Sequence, residues 1–153
     1  REPGNVGSMC RTSDAFCAVG VITVSGTVEA TSPKVVRASA VSVFHSPVCV
    51  VSSFEEAHAL IHRRSAALLG TSGGVGSLDL SQMLVQGVSG RSRLSQSHAG
   101  VFGNEAKGLS GAEMRLCDAL VSIPMTGDAE SLNVASAATA CLFASQTVRG
   151  MTL

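Results

Sequence analysis

Three short stretches of this sequence carry polar side chains whose types and spacing could do chemistry. Asn5 and Arg11 stand six residues apart near the start, Gly103-Asn104-Glu105 follows Val101-Phe102, and Ser131-Leu132-Asn133 precedes a long Ala-rich stretch. An arginine stays protonated at neutral pH, so it can grip a phosphate or steady a developing oxyanion. Asn, Ser and Glu can orient such a group by hydrogen bonds. Each stretch also has a plain structural reading, since Asn5 and Ser131 are both good helix caps.

Other chemistries find less support. Gly73-Gly74-x-Gly76 follows an apolar run, but it lacks the G-x-G-x-x-G spacing and the lysine of a P-loop. No G-x-S-x-G nucleophile elbow occurs. Of His45, His58, His62 and His98, only His58 and His62 have a helical spacing that could share a metal. They sit on a charged face and read as solvated, so no metal site is expected. The five cysteines, Cys10, Cys17, Cys49, Cys117 and Cys141, show no CxxC spacing. They read as buried free thiols of a reducing, intracellular compartment.

The elements that must position these groups follow from composition and pattern. The chain has 153 residues, 45% of them apolar and 14% charged, which suits one domain with a real core. With no Trp or Tyr, that core is built from Val, Leu, Ile and Ala, a mixture that suits parallel strands covered by helices. Val21–Val24, Val48–Val51, Ala66–Leu69, Val101-Phe102 and Leu120–Ile123 read as short buried strands. Helices are expected from Asn5 to Phe16, Val35 to Val43, the capping box at Ser53 to Arg63, Ser110 to Leu116, and Ser131 to Val148. On the last helix, Val134, Ala135, Ala138, Leu142 and Phe143 are expected to face the core. Gly73 to Ser97, rich in Ser, Gly and Gln, reads as a surface loop with at most a turn of helix.

Alternating strands and helices give an α/β domain with a parallel sheet, which binds ligands at the carboxyl ends of its strands. Three loops, Gly70–Gly74, Gly103–Leu109 and Pro124–Asn133, are expected to converge there. No apolar run approaches the ~18 residues of a membrane span. The start, Arg1-Glu2-Pro3-Gly4, has neither Met nor signal peptide and reads as part of a longer product. The net charge is zero, yet Lys34 with Arg37, Arg63-Arg64 and Arg91-x-Arg93 form local basic spots.

Together the polar stretches resemble the three motifs of SpoU-type (TrmH-like) RNA 2′-O-ribose methyltransferases of the SPOUT superfamily. Pro3 to Phe16 is similar to the first motif, with Asn5, Gly7 and Arg11 at its spacing. Val101 to Ser110 is similar to the second motif and Ile123 to Ala135 to the third; Lys34 to Ser39 also looks like family sequence. The resemblance covers nearly the whole chain, residues 1–153, as a catalytic domain that lacks the family's first strand and any N-terminal RNA-recognition domain. Cys17, Val41 and Ala106 depart from it, each standing where the family often has Gly.

This resemblance implies a parallel sheet flanked by helices with a C-terminal deep trefoil knot, in a homodimer whose site is completed across the interface. It implies S-adenosylmethionine as cofactor, held by Thr71, Gly103, Ile123, Met125, Ser131 and Leu132. Asn5, Arg11, Glu105, Ser131 and Asn133 are the implied catalytic set, and Arg11, Lys34 and Arg37 the implied RNA contacts. The expected substrate is RNA, ribosomal rather than transfer RNA. A non-catalytic ribosome-assembly factor on the same fold is the rival reading. Ribosomal assembly particles are further expected partners and a membrane is not; bacterial cytoplasm and mitochondrial matrix both fit the cysteines.

Overall fold

The computed structural model describes residues 2–104 and 107–150. Two compact units divide the chain, one ending at Ala57 and one beginning at His58. Each holds its own parallel sheet, so the expected strands fall into two sheets.

The first unit starts with helix α1 (Pro3–Ala15). Pro3 sits in the first turn, where a missing N–H costs nothing. The cap position falls to Glu2, which makes no side-chain cap bond, so Asn5 lies inside the helix and does not cap it. Val6, Gly7, Cys10 and Ser13 form the buried face. Helix α2 (Pro33–Ala38) packs on α1 and is capped by the Ser32 hydroxyl. Gly7 is what lets them meet: a Cβ there would lie 2.5 Å from Ala38 Cβ and 2.7 Å from the Val35 carbonyl oxygen. The motif glycine is therefore a packing residue. Strands β1 (Val21–Val24) and β2 (Val48–Val51) fall where expected and pair in parallel, Val21 with Val48 through Val24 with Val51. Val6, Cys10 and Val35 centre the core.

The expected helix from Val35 to Val43 breaks at Ala38, and a 3-10 turn (Ser42–Phe44) follows. The break comes from left-handed backbone at Ala40 and Val41, with φ of 47° and 74°. Cys17 is left-handed too, with φ of 51°. Two of the three positions where the family often has Gly are thus ones that favour Gly physically. A β-branched residue at positive φ costs about 1–2 kcal/mol. The Val41 side chain is 53% exposed, so little packing offsets that cost. Val41→Gly is expected to raise stability by about 1 kcal/mol, read as a higher urea midpoint at unchanged slope. A lower midpoint would count against the strain.

Helix α3 (Phe54–His62) begins behind the expected Ser53 cap, with the reciprocal half of the box moved to Ser52. The Glu56 backbone N–H donates to Ser53 Oγ at 3.2 Å, but the Glu56 carboxylate accepts from the N–H and hydroxyl of Ser52 at 2.7 and 2.6 Å.

In the second unit, β3 (Ala67–Thr71), β4 (Leu78–Asp79), β5 (His98–Val101) and β6 (Ala119–Ser122) form a parallel sheet in the order β4-β6-β3-β5. The stretch expected as a surface loop does lie largely at the surface, but it is regular structure that sends a few side chains into the core. It holds β4, helix α4 (Leu80–Gly87) and a 3-10 turn (Arg93–Ser95), and it buries Leu80, Met83 and Leu94. The Asp79 carboxylate caps α4 by accepting from the Ser81 and Gln82 N–H groups. Helix α5 (Gly111–Leu116) starts at the Ser110 capping box, as expected. Helix α6 (Val134–Gly150) buries Ala135, Ala138, Ala144, Ser145 and Val148. Phe143 lies on the far side of α6 from Ala138, Ser145 and Val148 and is 55% exposed, against the expected core position. Gly87 lets α4 reach α6, since a Cβ there would sit 2.3 Å from a Val148 methyl.

Candidate active site

The second unit has a cleft of about 150 Å³ lined by Thr71, Phe102, Gly103, Asn104, Gly108, Ser131, Leu132, Val134 and Ala137. These residues come from the end of β3, the loop after β5, and the loop that leads into α6, so the three loops converge as expected. β3 and β5 are adjacent and parallel, which brings their carboxyl ends side by side. The Thr71 hydroxyl donates to the Val101 carbonyl at 3.0 Å and ties those ends together.

The loop after β5 folds tightly back on itself. The Asn104 N–H donates to the Gly108 carbonyl at 3.2 Å, and the Gly108 N–H donates to the Asn104 carbonyl at 2.7 Å. Gly108 has φ of +64°, the left-handed form that closes such a turn. Gly103 lies under the turn: a Cβ there would be 2.2 Å from the Gly108 carbonyl carbon and 2.4 Å from Leu109 N. Gly103 and Gly108 both line the cleft, so its wall at this point is bare backbone, which allows close approach by a flat ligand. In the loop that leads into α6, Asn133 Oδ1 accepts from the Ala135 N–H at 2.9 Å and caps that helix, without itself lining the cleft. Asn133 and not Ser131 is the cap, which leaves the exposed Ser131 and Leu132 on the cleft rim.

Of the expected cofactor residues, Thr71, Gly103, Ser131 and Leu132 line this cleft. Ile123 packs instead against the cluster of Leu69, Leu80 and Val121. Met125 is 43% exposed and is not among the lining residues. Phe102, Asn104, Gly108, Val134 and Ala137 also line the cleft, although none of them is among the expected cofactor residues. Phe102 and Val134 were legible as the residues next to the motif glycine and asparagine. Glu105 lies outside the described residues. Arg11 is exposed on α1 of the first unit, and Asn5 is half-buried on the same helix. Six helical residues separate them by about 9 Å along the axis and a third of a turn around it. Lys34 and Arg37 are both exposed on α2, three residues apart and so on one face.

The thiols and imidazoles bear on stability more than on chemistry. All five cysteines are free; Cys10 is buried, but Cys17 and Cys49 are exposed, so the expected uniform burial does not hold. Burial pushes the Cys141 thiol up to about 11 and also raises Cys10 and Cys117, which keeps them protonated and unreactive. His58 and His62 stack with ring centres 4.2 Å apart, and His62 Nε2 lies 3.2 Å from Asp118 Oδ2. Among the described residues no group of three or more His, Cys, Asp or Glu could hold a metal.

His98 joins β5 to α6, with Nε2 3.0 Å from Ser145 Oγ and Nδ1 2.8 Å from the Gln96 carbonyl oxygen. The carbonyl must accept, so Nδ1 carries the proton, and in the neutral ring Nε2 accepts from the serine hydroxyl. Burial, helped by the positive charge of Arg149, pulls its pKa below the ordinary value, while the Gln96 bond works against this. The fold prefers the neutral ring. Its contribution is therefore full above the ordinary value of ~6.5 and is lost as pH falls from there through the lower folded value. Wild type is expected to lose stability between pH 7 and 5, and His98→Gln should flatten that slope. Equal slopes in urea unfolding would contradict the assignment.

Residues 1–143 match the sequence model of the SpoU rRNA Methylase family. The chain belongs to the SpoU family. It is 39% identical over 147 residues to a 23S rRNA (uridine(2479)-2′-O)-methyltransferase of Streptomyces viridochromogenes, covering 93% of this chain and 48% of that protein. It is 33% identical over 143 residues to the 23S rRNA (guanosine(2553)-2′-O)-methyltransferase RlmP of Bacillus subtilis, covering 90% and 51%. Among solved structures, the SpoU methyltransferase AviRb from Streptomyces viridochromogenes in complex with AdoMet superposes with a TM-score of 0.82. That match is 37% identical and covers 97% of this chain and 56% of that one. This SpoU chain thus spans about half the length of the curated relatives it matches. Its α/β architecture of parallel strands flanked by helices is that of the SpoU methyltransferases.

Proposed function

We propose that this SpoU chain is the catalytic part of an enzyme that moves a methyl group from S-adenosylmethionine to a ribose 2′-OH of RNA, ribosomal RNA in particular. The observation that carries the reading is the convergence of three loops on one cleft, two of them carrying the second and third motifs, with a bare-backbone wall at Gly103. The names of the relatives support the RNA class and favour ribosomal over transfer RNA.

The cleft fits one end of the cofactor better than the whole of it. A volume of about 150 Å³ lies below the ~300–1,000 Å³ of a typical small-molecule site. The apolar faces of Phe102, Leu132 and Val134 suit a flat heterocycle, and backbone N–H and C=O groups at Gly103 and Leu132 suit its edge. Thr71 and Ser131 supply hydroxyls beside it. Ile123 and Met125 would then act through backbone or along the open side. When bound, the cofactor supplies an electrophilic methyl on a sulfonium.

The chain itself has to align and activate a poor nucleophile. With the cofactor bound, the chain would have to hold the 2′-oxygen in line with the methyl and let the hydroxyl proton pass to solvent water as the oxygen attacks. A guanidinium already carries its proton and offers no lone pair, so Arg11 cannot take that proton. Its role is to steady the developing alkoxide or to grip the adjacent phosphate. Asn5, Glu105, Ser131 and Asn133 orient Arg11, ribose and cofactor, with Lys34 and Arg37 on the RNA backbone. Arg11 comes from the second copy in a homodimer, on the knotted fold of the family. The bacterial relatives favour the bacterial cytoplasm over an organelle matrix, and ribosomal assembly particles are the setting in which the substrate is met.

Mapping 2′-O-methyl sites in cells with and without the gene tests this reading. Loss of methylation at a ribosomal RNA nucleotide is expected. An unchanged ribosomal map with a lost transfer RNA site would reverse the substrate preference.

A further inference from the structure

The second unit is polarised in a way its neutral composition hides. Helix α4 leaves β4 at the carboxyl edge of the sheet and ends where Gly87 meets Val148, near the C-terminus of α6. The next residues carry Arg91 and Arg93. Arg149 follows Val148 and is close enough to His98, the first residue of β5, for its charge to be felt there. Arg63 and Arg64 lie just ahead of β3, whose first N–H, on Ala67, donates to the Ser97 carbonyl. Five arginines therefore gather at the amino edge of the β3–β5 pair, opposite the cleft, and all five are exposed.

Few acidic groups stand near enough to neutralise them. Asp118 sits at the same edge, but its carboxylate accepts from the Leu68 N–H at 2.7 Å and lies 3.2 Å from His62. Among the described residues no ion pair joins any of the five to a carboxylate. Arg115 turns back along α5 toward Gly111 and stands apart. The acids Asp79, Asp128 and Glu130 lie toward the carboxyl edge instead, on the cap of α4 and in the loop before α6. Two of the arginines are also held in place. Ser92 is buried and its hydroxyl accepts from the Leu94 N–H, Leu94 is buried, and the Arg91 Nε–H donates to Ser89 Oγ at 3.1 Å.

We infer that this pole, formed by Arg63, Arg64, Arg91, Arg93 and Arg149, is a second RNA-binding surface that grips phosphates away from the reacting ribose. The inference rests on the RNA-methylation reading only for its choice of polyanion. Guanidinium groups on an anchored turn, without carboxylate partners, match a phosphate chain in charge and geometry. Such a grip is independent of sequence. It positions the substrate while the cleft chooses the nucleotide.

The test uses the full chain with a fluorescein-labelled RNA stem-loop of arbitrary sequence, titrated from low to moderate salt. The Arg91→Gln/Arg93→Gln/Arg149→Gln protein is expected to bind at least tenfold more weakly at low salt. The slope of log Kd against log salt should fall by about 2–3, one phosphate contact per arginine. The triple Lys variant should restore most of that slope because it keeps the charge. Unchanged affinity and slope in the Gln variant would overturn the proposal, and so would weaker binding with an unchanged slope, which marks structural damage. S-adenosylmethionine binding is measured in parallel by calorimetry. If no variant or wild type binds the cofactor while the salt slope still responds to the arginines, the methylation reading fails and the basic pole stands.

Discussion

Arg11→Ala is expected to lower methyl transfer by about 10²–10³-fold while leaving S-adenosylmethionine affinity unchanged. The size follows from what a single preorganised donor contributes when charge develops on oxygen in a site shielded from water. The separation from cofactor binding follows from position. Arg11 is exposed on α1, while Val6, Gly7, Cys10 and Ser13 hold that helix in its own core. Truncating an exposed side chain of this kind costs little stability. If Arg11 acts on the transition state, kcat falls more than KM rises. Arg11→Lys should recover only part of the rate, because an ammonium keeps the charge and loses the fork. A protein that keeps cofactor binding and also keeps full methylation after Arg11→Ala would sink this role.

Gly103→Ala is expected to weaken cofactor binding by about a hundredfold and to lower stability by about 1–3 kcal/mol. The added carbon would meet Gly108 and Leu109 backbone at 2.2 to 2.4 Å. Backbone cannot swing aside as a side-chain tip does, so the turn closed by the Asn104–Gly108 hydrogen bonds must open. That turn forms a wall of the cleft. Calorimetric titration and a urea melt of the same protein read the two effects together. Wild-type affinity in Gly103→Ala would show that the turn is not part of the binding site.

The strands were the most legible part of the fold, for a physical reason. Val21–Val24 and Val48–Val51 are short runs rich in β-branched residues bounded by Gly20 and Pro47, and they pair in parallel as strands, although Cys49 and Val50 stay exposed against the expected burial. The segment after β3 was misread because its Ser, Gly and Gln content outweighed a weaker signal. Leu80, Met83, Leu84 and Gly87 repeat at helical spacing behind Asp79, a good cap, and that pattern alone would have placed α4 in the core. Phe143 was misassigned because a large apolar residue was given more weight than the small ones that set the face of α6. The break at Ala40 and Val41 was unreadable locally, since neither residue favours positive φ.

The site was legible to a similar depth. Thr71, Gly103, Ser131 and Leu132 come together because the ends of neighbouring parallel strands must lie side by side. Asn5 and Asn133 show the limit. Both types cap helices, yet Asn133 caps α6 and Asn5 sits within α1 behind Pro3. Choosing between them takes the φ of the preceding residues, which composition does not encode.

The central claim is the chemistry, and the fate of one labelled methyl group tests it most directly. The protein is incubated with methyl-labelled S-adenosylmethionine and unmodified ribosomal RNA, and the RNA is then hydrolysed in alkali. Alkali cleaves RNA through the 2′-oxygen, so a 2′-O-methyl blocks cleavage at that nucleotide. The account predicts label in alkali-resistant dinucleotides, and far less of it with the Arg11→Ala protein. Label in mononucleotides would mean methylation of a base, and no transfer from a protein that binds the cofactor and the RNA would mean a scaffold; either result contradicts the account.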